Sequence, residues 1–198
     1  MTGNIRDTSS LLGSRVCHDL ISPLGAISNG LELLAMSGMG DSPELKLIEE
    51  SIQSANARVR FFRVAFGGSS GSQIMARAEI LSLLDGIYAG GRLMVRWDSP
   101  TDPTRTEVKL GFLSIMCAEA ALPLGGEVTI ASDRGNWQVQ AYGPKIKFEP
   151  ELWSALNTPI SEGIPSSKVQ FLLLGEAFTQ IGRSAQVGHS DSAVSLRY

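Results

Sequence analysis

The stretch Val16-Cys17-His18-Asp19-Leu20-Ile21-Ser22-Pro23-Leu24 sets an acid directly after an imidazole and a proline five residues on. An imidazole is largely neutral near pH 7. One of its nitrogens therefore keeps a lone pair that can attack, and then carry, a labile phosphoryl group. The other nitrogen holds the proton and needs an acceptor. Asp19 is the natural group to orient or polarise His18, although adjacent helix positions do not share a face. The chain has only two histidines. The second, in Gly188-His189-Ser190-Asp191-Ser192, reads as the tip of a hairpin with a structural or solvent role.

The element that must display His18 is a helix. Val16, Leu20, Leu24, Ile27, Leu31 and Leu34 recur by threes and fours, which is a coiled-coil-like seam. At about 100° per residue His18 lies roughly 160° from Leu20, facing solvent. Its neighbours on that side are Arg15, Ser22, Gly25 and Asn29, mostly small or polar, so a partner surface can approach closely. Pro23 frees the carbonyl of Asp19, which predicts a bend just after the histidine. A lone histidine on a helix is most often a solvated residue. The acid, the proline and the seam together set this one apart.

Gly38, Gly40, Asp41, Ser42 and Pro43 predict a turn, with Asp41 or Ser42 capping a second helix. Leu45, Ile48, Ile52, Ala55, Val59, Phe62 and Phe66 then repeat without a break. So short a turn makes the helices an antiparallel hairpin and sets His18 level with about Phe61. Arg58, Arg60 and Arg63 cluster at that height. The same angular count turns Arg60, Phe61 and Val64 outward, where the arginines could meet an acidic partner or a phosphoryl group. Two helices cannot cover both seams alone, so a twofold dimer forming a four-helix bundle is expected.

At 198 residues the chain has room for one or two domains. A net charge of −3 does not suggest nucleic-acid binding as a main activity, and no nucleic-acid partner is expected. No apolar run is long enough for a membrane span, and Met1 to Ser10 lacks the pattern of a signal peptide. Cys17 and Cys117 have neither disulfide nor metal spacing, so reduced thiols in a cytoplasmic protein are expected, with Cys17 beside the seam.

Gly67-Gly68-Ser69-Ser70-Gly71-Ser72 reads as a linker between two domains, residues 1–68 and 73–198. Beyond it the pattern predicts a helix over 73–88, a strand over 92–97, a helix over 105–121 and strands over 127–132 and 137–142. Asp133-Arg134-Gly135-Asn136 turns between those two strands. Helices near 150–156 and 166–182 and a closing hairpin over 184–188 and 193–197 complete the order. It implies an α/β sandwich whose mixed sheet is covered on one face.

The string His18 to Leu24 resembles the histidine box of sensor histidine kinases. The whole layout, from near Ser9, resembles their dimerisation and phosphotransfer hairpin followed by an ATPase-like α/β sandwich. With Cys17-His18-Asp19 and Gly30-Leu31-Glu32-Leu33-Leu34, the chain is similar to bacterial cell-cycle histidine phosphotransferases of the ChpT type. The departures from a working kinase shape what this resemblance implies. Where kinases place the asparagine that helps hold Mg-ATP stands Cys117, with Leu113 one turn earlier, and neither suits a hard cation. Glu119 is two residues out of phase. The Asp-x-Gly-x-Gly box is replaced by Ala141-Tyr142-Gly143-Pro144-Lys145. Ser167-Lys168-Val169-Gln170-Phe171-Leu172-Leu173-Leu174 replaces the last glycine-rich box. A degenerate domain without a nucleotide cofactor is expected.

The resemblance thus implies a relay in which a hybrid-kinase receiver domain, supplying its own Mg²⁺, donates an aspartyl phosphate to His18. His18 passes it to aspartates of response regulators, and in related kinases the acid after the histidine assists proton removal. The second domain adds docking surface. The competing expectations are a dimeric scaffold or kinase inhibitor that keeps His18 as a relic, and an active kinase with unusual boxes.

Overall fold

The computed structural model describes residues 4–36, 42–68, 73–133, 135–158 and 164–198. Contacts divide the chain into two units: Met1–Ser69 with Ser82–Ile87, and Ser70–Leu81 with Tyr88–Tyr198.

The first unit is built on helices α1 (Asn4–Leu34) and α2 (Pro43–Phe66). α1 continues as α-helix through Pro23 despite the missing amide. α2 starts where its residue types dictate. The Ser42 hydroxyl accepts from the Leu45 amide at 3.2 Å, and Pro43 fills the first position, where no amide donor is needed. The expected turn residues Gly38, Gly40 and Asp41 lie outside the described residues, as do residues 69–72 of the expected linker. The helices pack side by side in opposite directions. A Cβ on Gly13 would sit 3.2 Å from Phe66 Cβ, and the Asn56 amide donates to the Ser28 hydroxyl at 3.4 Å.

Phe61 and Val64 do not face solvent as the angular count expects; both are buried. The reason is a second neighbour on α2. Ala57, one turn before Phe61 on the same face, meets Gly86 so closely that an added Cβ there would lie 2.9 Å away. The count allowed α2 one packed stripe, whereas α2 has two. The α1 seam also divides. Cys17 is buried, and Leu24 and Leu31 are half-covered, while Val16, Leu20 and Ile27 remain 50, 47 and 48 % exposed.

The second unit is a five-stranded sheet in the order β1-β2-β3-β5-β4: β1 (Leu93–Asp98), β2 (Gly126–Asp133), β3 (Asn136–Tyr142), β4 (Gln186–His189) and β5 (Ala193–Arg197). β1 and β2 run parallel, joined through helix α4 (Arg105–Ala121), and every other pair is antiparallel. Alternating side chains from the strands, Trp97, Val128, Ile130, Trp137, Val139, Val194 and Leu196, are buried, and α4 covers that face. α6 (Val169–Gln180) packs on α4. α4 carries a capping box: the Thr104 hydroxyl accepts from the Glu107 amide, and the Glu107 carboxylate accepts from the Thr104 amide. Gly111 on α4 admits the Trp97 ring, which would lie 2.6 Å from a Cβ there. Gly125 has φ +83°, and a Cβ would strike the Arg92 carbonyl oxygen.

Several boundaries differ from the pattern. α3 spans Arg77–Tyr88 rather than starting at Gln73, because residues 73–76 are extended. Their backbone pairs with the loop before α4: the Met75 amide donates to Pro103 O at 3.0 Å and the Arg105 amide to Gln73 O at 2.6 Å. α5 is the short Pro150–Ser154. The expected 166–182 helix opens as a 3-10 turn, Ser166–Lys168, and ends at Gln180. His189 closes strand β4, paired with Val194, and is not the hairpin tip. Its ring stacks on Phe148 at 3.8 Å and 16°, a partner distant in sequence.

Candidate functional site

His18 stands in the middle of α1, its side chain 78 % exposed. Its face repeats at i+4, i+7 and i+11 with Ser22 and Asn29 exposed and Gly25 half-covered; a Cβ on Gly25 would meet nothing within 4 Å. The surface beside the ring is low and polar, which permits close approach by another protein. On the opposite helix Arg58, Arg60 and Arg63 are exposed. Gly13 lies against Phe66 and Ser28 against Asn56, a register that sets Arg63 near the height of the histidine. Burial pushes the Cys17 thiol up, against the smaller opposing effect of Arg63.

Asp19 reaches His18 although the two residues are adjacent. Its Oδ1 lies 3.2 Å from Nδ1 of the imidazole. Its Oδ2 accepts from Nε of Arg15, one turn back, at 2.8 Å. The hydrogen bond with His18 is the first cause, and the Arg15 guanidinium a further one, that holds the Asp19 carboxyl below the ordinary carboxylate value. With a carboxylate on Nδ1, the tautomer that suits the site carries its proton on Nδ1 and leaves the Nε2 lone pair directed outward. Chemically this is an accessible nitrogen nucleophile with an acceptor for the opposite ring proton.

Of the residues expected around His18, the structure gathers Arg15, Asp19, Ser22, Gly25 and Asn29 on α1 beside it. Arg60 is exposed on α2, whereas Phe61 and Val64 belong to the core of this unit. The Arg15–Asp19 pair had a signal in the sequence, opposite charges at i and i+4.

Leu113 and Cys117 are fully buried, and burial pushes the Cys117 thiol well up. Gln170 of α6, itself buried, donates to the Met116 carbonyl of α4 at 3.4 Å, beside buried Phe171 and Leu174. Glu119 accepts from the Tyr88 hydroxyl at 3.4 Å. Among the described residues no group of three or more His, Cys, Asp or Glu could hold a metal ion. No described helix is long and apolar enough to cross a membrane.

The family described as the histidine phosphotransferase C-terminal domain matches residues 77–193. The protein phosphotransferase ChpT of Brucella abortus (strain 2308) is 36% identical over 127 residues, 63% of this chain and 60% of that relative. The chain thus matches about three-fifths of the relative's length. A solved bacterial phosphotransferase shares the fold: it is 22% identical, with a TM-score of 0.69 over 100% of this chain and 98% of that one. The Acinetobacter baumannii histidine kinase AdeS is 13% identical, with a TM-score of 0.45 over 91% and 96% of the two chains.

Proposed function

The chain belongs to the histidine phosphotransferase family, and from that membership we propose that it relays phosphoryl groups in a two-component system through His18. The observation that carries this reading is the exposed imidazole with a carboxylate on Nδ1 and open Nε2. The donor is the aspartyl phosphate of a hybrid-kinase receiver domain, and the acceptors are aspartates of response regulators. Both partners and this chain work in the cytoplasm.

In the forward step the Nε2 lone pair forms the N–P bond while the P–O bond to the donor carboxylate breaks. The bonding electrons leave on that carboxylate oxygen, and the Nδ1 proton stays on the ring, facing Asp19. Acyl phosphate and phosphohistidine are both energy-rich, so the step runs in either direction. Catalysis is then chiefly in-line positioning and charge neutralisation. The receiver brings the divalent cation. Here the chain supplies the nucleophile, its orientation and the low surface of Ser22, Gly25 and Asn29, with Arg60 on the neighbouring helix.

The chain does this without ATP. Buried Leu113 and Cys117 offer no ligand to a hard cation, and Ala141 replaces the acid that would read adenine. α6, which has no glycine in its first turn, lies on α4 where phosphates would need open backbone amides. The residues present do not fit a nucleotide, so no step passes through one.

The helices α1 and α2 form the dimerisation hairpin. Val16, Leu20, Ile27 and Leu34 of α1, with Leu47 and Ile48 of α2, leave apolar surface open in the single chain. A second copy across a twofold axis covers it and completes a four-helix bundle that displays two histidines. The test is a three-component assay: phosphorylated receiver domain, this protein and a second receiver. Acid-labile label should reach this chain and move on, and His18→Ala should end both steps. Full transfer by the alanine variant overturns the reading.

A further inference from the structure

The Asp19 carboxylate divides its two oxygens between two partners. Oδ1 faces His18 Nδ1 at 3.2 Å, and Oδ2 takes the Arg15 Nε proton at 2.8 Å. Successive Cβ atoms on a helix diverge by about 100°, so a solvated aspartate beside a histidine has no inherent reason to turn toward it. Asp19 is half-exposed, and its side chain is otherwise free to sample other staggered rotamers. Arg15 supplies the missing constraint. Lying one turn earlier, it fixes the far oxygen and thereby selects the rotamer in which the near oxygen meets the ring.

Helix stability does not account for the pair. With the base first and the acid four residues later, it has the less favourable polarity for an i,i+4 contact. Both side chains are also well exposed, 73 and 51 %, where such pairs add little to stability. Its consequence falls on the orientation of Asp19.

We propose that Arg15 is a positioning residue for phosphotransfer: by anchoring Oδ2 of Asp19 it keeps Oδ1 on Nδ1 of His18, so that the ring offers Nε2 to the incoming phosphoryl group. The proposal rests on His18 being the phosphoacceptor. It moves Arg15 from the partner surface to the machinery of the histidine itself. In the transfer step, the N–P bond forms at Nε2 as the donor P–O bond breaks, and the ring takes up positive charge. Asp19, held in place, faces that charge through the Nδ1 proton. Arg15 neither gives nor receives a proton.

The test uses the full-length protein labelled with ¹⁵N-histidine, without any phosphoryl donor, above pH 8. Long-range ¹H–¹⁵N spectra report which ring nitrogen of His18 carries the proton. The wild type should favour Nδ1–H. Arg15→Gln should lower the Nδ1–H to Nε2–H ratio by about three- to fivefold, the scale of one exposed charge-assisted contact. Arg15→Lys should recover part of it, and raising salt should act in the same direction as Arg15→Gln. In single-turnover transfer from a phosphorylated receiver, Arg15→Gln should slow the chemical step by a similar factor with half-saturation unchanged. An unaltered tautomer ratio in Arg15→Gln overturns the proposal, as does weakened receiver binding with an intact chemical step. Label retained by His18→Ala would instead defeat the relay reading, on which the tautomer measurement does not depend.

Discussion

Replacing Leu20 and Ile27 by glutamine tests the proposed dimer most directly. Their side chains remain 47 and 48 % exposed in the single chain, so about half of each is left for a second copy to cover. Full burial of a leucine or isoleucine is worth about 2–3 kcal/mol, so the remaining half is worth about 1 kcal/mol per side chain. A twofold axis presents each residue twice. Leu20→Gln should therefore weaken the dimer by about 2 kcal/mol, or roughly 30-fold in dissociation constant, and the double variant by about 4 kcal/mol, near a thousandfold. Glutamine has nearly the helix propensity of leucine, so α1 itself should persist. Sedimentation velocity over a dilution series from tens of micromolar reads the equilibrium, and circular dichroism at each step checks helix content. A wild type that sediments as a monomer throughout the micromolar range would refute the reasoning. So would a double variant that keeps the wild-type dissociation constant and helix content.

The Asp19 carboxyl should titrate below the ordinary carboxylate range by carbon-detected NMR, and His18→Ala and Arg15→Gln should each raise its midpoint, because the histidine contact and the Arg15 guanidinium both lower it. A carboxyl depressed in the folded state binds its proton less readily there. Its small contribution to stability is accordingly present at neutral pH and is lost as pH falls through the folded midpoint. Gly175→Ala should lower the melting temperature, since the new Cβ meets the Ala155 carbonyl oxygen and Leu156 Cα, backbone atoms that cannot step aside. A net cost of about 1–2 kcal/mol is expected after the gain of about 1 kcal/mol in helix propensity. Calorimetry with Mg-ATP should show no binding at micromolar concentrations; a saturable heat there would refute the proposal that phosphotransfer here needs no nucleotide site.

The parts of the molecule legible in its sequence are those governed by local rules. The three-four spacing along α1 and α2 marks those helices, and the cap at Ser42-Pro43 marks where α2 begins. The exposure of His18 follows from angle alone. What was not legible depends on partners far along the chain. Phe61 and Val64 looked outward because nothing local announces that Gly86 lies against Ala57. Residues 73–76 looked helical because their hydrogen-bond partners are about thirty residues away. The contact between His18 and Asp19 was obscured for a different reason. The rule that neighbours on a helix do not meet describes Cβ directions, and a carboxylate held by Arg15 reaches past it.

Helix α3 belongs to both units, with Ser82–Ile87 grouped with α1 and α2 and its two ends with the sheet. Scissors applied at the glycine-serine stretch would therefore divide the sequence where its composition suggests, yet leave each fragment incomplete. A piece ending at Gly68 gives up the cover at Ala57. A piece beginning at Gln73 carries Leu83 and Leu84, buried in the intact chain, as an orphaned greasy edge. Biochemists who want the histidine stalk alone should carry the cut past Tyr88, and those who want the sheet alone should expect it to be sticky.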